Sequence, residues 1–242
     1  MYEIILPIGF EGEVVPYALF FIFLYIHDGC IRNFFIQTAA LTSIVASATI
    51  CDNLLEKGVI FMKVLGLIGS PRIKGNTAKL VKEILAGASE NGAESVVYNL
   101  AKMNLSGCKA CSACLKKGTC ILEDDMQELY REIEEADVLV LGSPVYMGEI
   151  SAQAKPFVDR LHPLVHDSSK PLAGKKLVLA YTQGNPNVDT YGKYFEYMEG
   201  IFSHVGFEVK GTVAAAGTLG MNDILEQEAL LVKAREIGKN LQ

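Results

Sequence analysis

From Met62 onward, short apolar runs closed by glycine, serine or proline alternate with longer stretches whose apolar residues recur every three or four positions. Runs of the first kind predict buried strands, and stretches of the second kind predict amphipathic helices. Lys63–Ile68 is the first such run, ended by Gly69-Ser70-Pro71. A helix follows, with Asn76 or Thr77 as its cap and Leu80, Val81, Ile84, Leu85 and Ala88 on one face. The pattern continues with a strand over 95–100, a helix from Asp124 or Asp125 to Ala136, and a strand over 138–141 that stops at Gly142-Ser143-Pro144. Next come a helix over 151–165, a strand over 176–182, a helix over 188–204, a strand over 208–214 and a helix over 223–240. Five alternations predict an α/β fold: a doubly wound, five-stranded parallel sheet in three layers, with the flavodoxin-like strand order 2-1-3-4-5.

In such a sheet, ligands gather beyond the carboxyl ends of the strands, where the strand order reverses. Three loops fall there. The first carries Ser70, Arg72, Lys74, Asn76 and Thr77 just ahead of a helix N-terminus, where free N–H groups and the helix dipole favour an anion. An ordinary polar cap accounts for Asn76 and Thr77 but not for Ser70, Arg72 and Lys74 together, so the loop reads as a phosphate site. The second loop, Ser143, Pro144, Val145, Tyr146, Met147 and Gly148, offers apolar and aromatic walls to a flat ring. The third, Thr182, Gln183 and Gly184 followed by Asn185, lies on the other side of that ring. Neither G-x-G-x-x-G nor G-x-x-x-x-G-K-[ST] is present, which speaks against a Rossmann dinucleotide site and a P-loop.

Between the second strand and the next helix lies a cysteine-rich loop, 107–123. Cys108, Cys111, Cys114 and Cys120 follow the spacing C-x2-C-x2-C-x5-C, four of the six cysteines within thirteen residues. Two-residue gaps let successive sulfurs turn about one centre, which suits a 4Fe–4S cluster. Structural zinc more often takes two separated pairs, and disulfides between such near neighbours are cramped. Zinc, disulfides and free thiols remain the alternatives. Asp124 and Asp125 read as a helix cap, and Lys155, Asp159 and Arg160 as groups that orient the following helix. His162, His166 and His204 have no evident carboxylate partner and read as surface or structural. Tyr191, Tyr194, Phe195, Met198 and Phe202 form a helical stripe expected in the core or at a subunit interface.

Composition narrows the field. Half of the 242 residues are apolar and the net charge is −6, so no basic field invites nucleic acid. Residues 1–61 differ from the rest, with six acids against two bases. Residues 14–26 are very apolar but short for a membrane span, whereas 33–51 are uncharged and long enough to cross, though diluted by polar side chains. The opening Met-Tyr-Glu lacks the basic start of a secretory signal. Met62 leads directly into a buried strand, and Lys57-Gly58-Val59 can be encoded by a purine-rich, ribosome-binding-like sequence. The expected organisation is therefore an over-extended reading frame over 1–61 and one domain over 62–242. A hydrophobic anchor over 1–61 is the alternative; without it the protein is expected in the cytoplasm.

The runs M-K-V-L-G-L-I-G-S-P-R-I-K-G-N-T (62–77), G-C-K-A-C-S-A-C-L-K-K-G-T-C-I-L-E-D-D-M (107–126), A-D-V-L-V-L-G-S-P-V-Y (136–146) and I-S-A-Q-A-K-P-F-V-D-R (150–160) resemble the NADPH-dependent FMN reductase superfamily, and within it the iron–sulfur flavoproteins. The resemblance implies noncovalent FMN in a homodimer or homotetramer. Its phosphate would lie on Ser70, Arg72, Asn76 and Thr77, and its ring against 143–148 and the Thr182 loop. It also implies Cys108, Cys111, Cys114 and Cys120 as 4Fe–4S ligands. The implied activity is electron transfer between a ferredoxin-like one-electron carrier and a small acceptor, with no acid–base side chain demanded. The rivals are a cluster-free NAD(P)H-dependent flavin or quinone reductase, and a non-catalytic binding protein with a redox or zinc loop.

Overall fold

The computed structural model describes residues 21–27, 30–37, 43–46, 62–169 and 171–242. The chain divides into two compact units, residues 1–60 and 61–242. In the first, β1 (Phe21–His27), β2 (Cys30–Gln37) and β3 (Ser43–Ala46) form an antiparallel sheet in the order β1-β2-β3. The expectations of a misplaced start or an anchor over 1–61 rest mostly on residues outside those described. Among the described residues no helix is long and apolar enough to cross a membrane.

The second unit carries β4 (Lys63–Ile68), β5 (Glu94–Asn99), β6 (Val138–Tyr146), β8 (Lys176–Thr182) and β9 (Glu208–Ala215), all parallel, in the order β5-β4-β6-β8-β9. Counted among these five, the order is the expected 2-1-3-4-5. A sixth strand was not foreseen: β7 (Glu149–Ile150) folds back antiparallel on the end of β6. Pairing with β8 through Pro144 and with β7 at Val145 and Tyr146 carries β6 past its expected end at Leu141. Ser143 and Pro144 pair with Tyr181 and Thr182 of β8, and Val145 pairs with Ile150.

Side chains alternate across the sheet, and each face has its own core. Val64, Ile68, Val140 and Ala180 meet α1 (Asn76–Glu90) and α7 (Glu228–Lys239). Leu65, Leu67, Leu139 and Tyr181 meet α3 (Met126–Glu135), α4 (Lys155–Asp159), α5 (His162–His166) and α6 (Gly192–His204). Burial on both faces is why β4, β6 and β8 are nearly unbroken apolar runs, whereas the edge strands β5 and β9 keep polar residues.

Three helices differ from expectation. The stretch 151–165 is two short helices, because Pro163 has no N–H to donate and its ring crowds the preceding turn. Residues 188–191 and 223–226 are 3-10 turns that precede α6 and α7. At the start of α1 the cap is Gly75, which has no side chain to offer, and not Asn76 or Thr77. Asp125 occupies the N-cap position of α3 without a side-chain cap bond; its carboxylate accepts instead from the Asn104 amide at 2.7 Å.

Glycines set how closely α1 and α7 pack. A Cβ at Gly238 would lie 1.9 Å from the Ile84 carbonyl oxygen, and one at Gly87 1.9 Å from that of Arg235. Substituting alanine for glycine inside a helix ordinarily stabilises by about 1 kcal/mol. At Gly238 the sign should reverse: Gly238→Ala forces the helices apart and should destabilise by about 2–4 kcal/mol in urea unfolding. Lys233→Ala, on the exposed face of the same helix, should stay within about 0.5 kcal/mol.

Candidate functional site

Beyond the carboxyl ends of β4, β6 and β8 lies a cavity of about 560 Å³. Ser70, Arg72, Asn76 and Thr77 line one side, from the loop that starts α1. Pro144, Val145, Tyr146 and Met147 line another, and Thr182, Gly184 and Asn185 a third. The three loops singled out in the sequence thus face one space. Four of the expected residues do not line it. Ser143 is fully buried, with its hydroxyl between the Ser151 amide and the Pro144 carbonyl. Gln183 is buried, and its amide group donates to the Asn185 and Asn187 carbonyls. Lys74 is exposed, and Gly148 supplies a turn.

Tyr191, Thr218 and Leu219 also line the cavity and were missed. The last two sit in the loop after β9, at the same sheet edge as the other three, so the strand-end rule already covered them. This fourth loop is clasped by the first. Arg72 Nη1 donates to the Leu219 carbonyl at 2.8 Å, and Asn76 Nδ2 to that of Gly220 at 2.6 Å. Asn76 Oδ1 accepts from the Ile224 amide at 3.3 Å. The Asn76 side chain is therefore a loop anchor. Thr77 and Thr182 join hydroxyls at 2.7 Å across the floor.

Helix α1 leaves its first-turn N–H groups facing this end of the sheet with no side-chain cap, an arrangement suited to an anion. On the opposite wall Tyr146 is half exposed and Met147 fully exposed. Met147 and Gly148 both have positive φ, 52° and 88°, the backbone of a two-residue hairpin turn between β6 and β7. Holding a methionine in that conformation costs energy, and its effect is to present an apolar side chain at the cavity mouth.

The cysteine loop makes a second site. It includes a short helix, α2 (Ala113–Lys117). Cys108, Cys111, Cys114 and Cys120 are free thiols that line one recess of about 30 Å³, together with Arg160 and His162. Ala110 and Ser112 have positive φ, 51° and 56°, which coils the loop tightly on either side of the second cysteine, Cys111. Among the described residues, no three metal-type side chains converge as a ligand group. His162, set aside in the sequence, places Nδ1 3.4 Å from Cys114 Sγ.

Arg160 is the C-cap of α4, its amide donating to the Pro156 and Phe157 carbonyls at 3.2 Å, but its side chain serves the cysteine loop. It is 1% exposed, and its Nη1 lies 2.5 Å from Asp124 Oδ2. Nη1 also donates to the Ser106 carbonyl at 3.2 Å, and Nη2 to the Leu122 carbonyl at 3.4 Å and to Cys120 Sγ at 3.5 Å. Asp124 in turn accepts from the Ser106 and Met126 amides. Burial alone would raise the Asp124 carboxyl, but the Arg160 bond and these two amides outweigh it and hold it below the usual carboxylate value. Burial likewise disfavours the Arg160 charge, and the Asp124 bond overrides it.

The sequence profile of the NADPH-dependent FMN reductase family matches residues 62–188. An iron-sulfur flavoprotein of Methanocaldococcus jannaschii is 46% identical over 103 residues, which are 43% of this chain and 53% of the relative. One from Archaeoglobus fulgidus is 40% identical over 105 residues, 43% of this chain and 48% of the relative. The chain spans about half the length of the curated relatives it matches. Among solved structures, an NAD(P)H:quinone oxidoreductase from Methanothermobacter marburgensis aligns with a TM-score of 0.58 at 24% identity, over 75% of this chain and 100% of that one. An azoreductase from Bacillus anthracis aligns with 0.55 at 19%, over 74% and 99%. At these identities the two structures speak for the fold alone.

The lowered Asp124 carboxyl has a defined acid signature. Its contribution to stability is fully present above about pH 4 and is lost as pH falls through the lowered native value. Asp124→Asn should lower stability near neutrality by about 3 kcal/mol, by leaving Arg160 buried without its counter-charge. The variant should also lose the part of the acid dependence below about pH 4 that the wild type shows in circular-dichroism unfolding.

Proposed function

The chain belongs to the NADPH-dependent FMN reductase family, and from that premise we propose that it is an iron–sulfur flavoprotein, a flavin-dependent oxidoreductase that holds FMN and a 4Fe–4S cluster. It passes electrons between a ferredoxin-like one-electron carrier and a small acceptor, as a homodimer or homotetramer. The observation that carries this reading is the pairing of two sites in one fold: a strand-end cavity beside an uncapped helix, and four free cysteines lining a recess that also holds a buried cation beside Cys120. Bound FMN exchanges one or two electrons and an iron–sulfur cluster one at a time, so together they convert between the two modes.

The cavity suits FMN in size and in chemistry. Its volume falls within the roughly 300–1,000 Å³ usual for cofactor sites. The first-turn N–H groups of α1, with Ser70, Thr77 and the exposed Arg72, receive the phosphate. Tyr146 and Met147 wall one side of the ring, and the Thr182 and Thr218 loops the other. The cysteine recess suits a cluster in its donor set, four thiols, with a guanidinium at Cys120 that would offset the negative charge of the ligating thiolates. On α6, Tyr197 and Ile201 present an exposed apolar face for a second copy of the chain.

One observation favours a second reading, a cluster-free reductase that takes NAD(P)H as its donor. The four sulfurs line their recess without converging on a ligand geometry. Cys114→Ala separates the two: under the first reading it should lose iron uptake while keeping FMN, and under the second it should change neither.

Arg72→Ala should weaken FMN by about 1–3 kcal/mol in fluorescence titration, the loss of one charged hydrogen bond. Unchanged affinity would remove Arg72 from the phosphate site.

A further inference from the structure

We propose that Arg160 is the positioning residue of the cysteine centre: with Asp124 it ties the two stems of the loop together and fixes a positive charge at the sulfur of Cys120. The inference rests on the reading of the four cysteines as cluster ligands.

Its geometric part is direct. Ser106 and Leu122 bracket the loop on either side of the cysteines, and the Arg160 guanidinium donates to both carbonyls. Asp124 accepts from the Ser106 amide and from Arg160, so four groups close the stem as one unit. The third direction of the same guanidinium is spent on Cys120 Sγ.

Packing does not explain this arrangement. Removing a charged pair from water costs about as much as the pair's attraction returns, and apolar residues of equal volume would serve a core as well. Among the described residues, Arg160 Nε is also buried with no partner. A buried guanidinium aimed at a ligand sulfur has a use that an apolar side chain lacks. A cluster held by four thiolates would concentrate negative charge here, and reduction by one electron from the carrier would add a further unit with no bond made or broken. Arg160 faces that added charge at close range and with little water between, where charges act strongly. Asp124, one bond further back, opposes it and holds the guanidinium in place.

The two members of the pair therefore act on the centre with opposite sign. Full-length wild type, Arg160→Gln, Arg160→Lys and Asp124→Asn are to be loaded with ferrous iron and sulfide without oxygen. Iron per chain and the midpoint potential are then measured, with circular dichroism reporting the fold. Arg160→Gln should shift the potential down, Asp124→Asn should shift it up, and Arg160→Lys, which keeps the charge but not the fork, should stay nearer the wild type. A merely structural role would move Arg160→Gln and Asp124→Asn in the same direction, or only lower their iron content alike, and either result overturns the proposal. Should Arg160→Gln fail to fold, Asp124→Asn and Arg160→Lys decide it: an upward shift in the first that the second does not share supports it, and no such difference overturns it. Wild type that takes up no iron overturns both this proposal and the cluster reading beneath it; iron uptake without opposed shifts overturns this proposal alone.

Discussion

The close seating of α1 on the sheet is the contact on which the rest of the second unit depends. Bare backbone at Gly66 and Gly142 makes it possible. A Cβ at the first would lie 2.8 Å from Leu85 Cδ1, and one at the second 2.3 Å from Val81 Cγ2. With no side chain at either point, α1 lies directly over β4 and β6, and its N-terminus comes to the edge where those strands end. Gly69 completes the placement, donating its amide to the Gly142 carbonyl at 2.7 Å. Beyond this link the loops from β4 and β6 part, and the cavity opens between them. The helix that buries the core is thus the helix that offers an anion its free N–H groups.

The cysteine loop depends on a different force. It has no apolar core of its own: Cys108 and Cys111 are exposed, and α2 buries none of its residues. Its order comes from polar closure at the stem, centred on one buried ion pair. Buried polar networks of this kind fix a geometry through their bonded members and fail sharply when one is removed. The loop therefore has a fixed base and a strained, open crown, where Ala110 and Ser112 sit at positive φ. A site that must gather ligands from consecutive turns of chain suits such a build.

Much of this was legible in the sequence, and the reasons differ by element. Lys63–Ile68 and Lys176–Thr182 appear as strands to the residue, because a strand buried on both faces leaves no choice of period. The loops at the strand ends were legible from topology alone once the alternation was counted. Arg160 was not, since it meets Asp124 across 36 residues and a buried charge leaves no periodic trace. The same holds for His162, 48 residues from the cysteine it approaches. Asn76 misled for a physical reason: an amide at a helix start reads as a cap, and here a tertiary loop competes for it and wins. Pro163 was visible and should have divided the helix over 151–165.

The pairing of a flavin with an iron–sulfur centre in one fold is tested most directly by cofactor content. The full chain, purified without oxygen, is to be assayed for FMN, iron, acid-labile sulfide and zinc on one sample, with its visible spectrum. About one FMN, four irons and four sulfides per chain, with a broad iron–sulfur shoulder beneath the flavin bands, is the expected result. FMN with no iron after anaerobic reconstitution would contradict the pairing and leave a plain flavin reductase, and zinc in place of iron would contradict it as well.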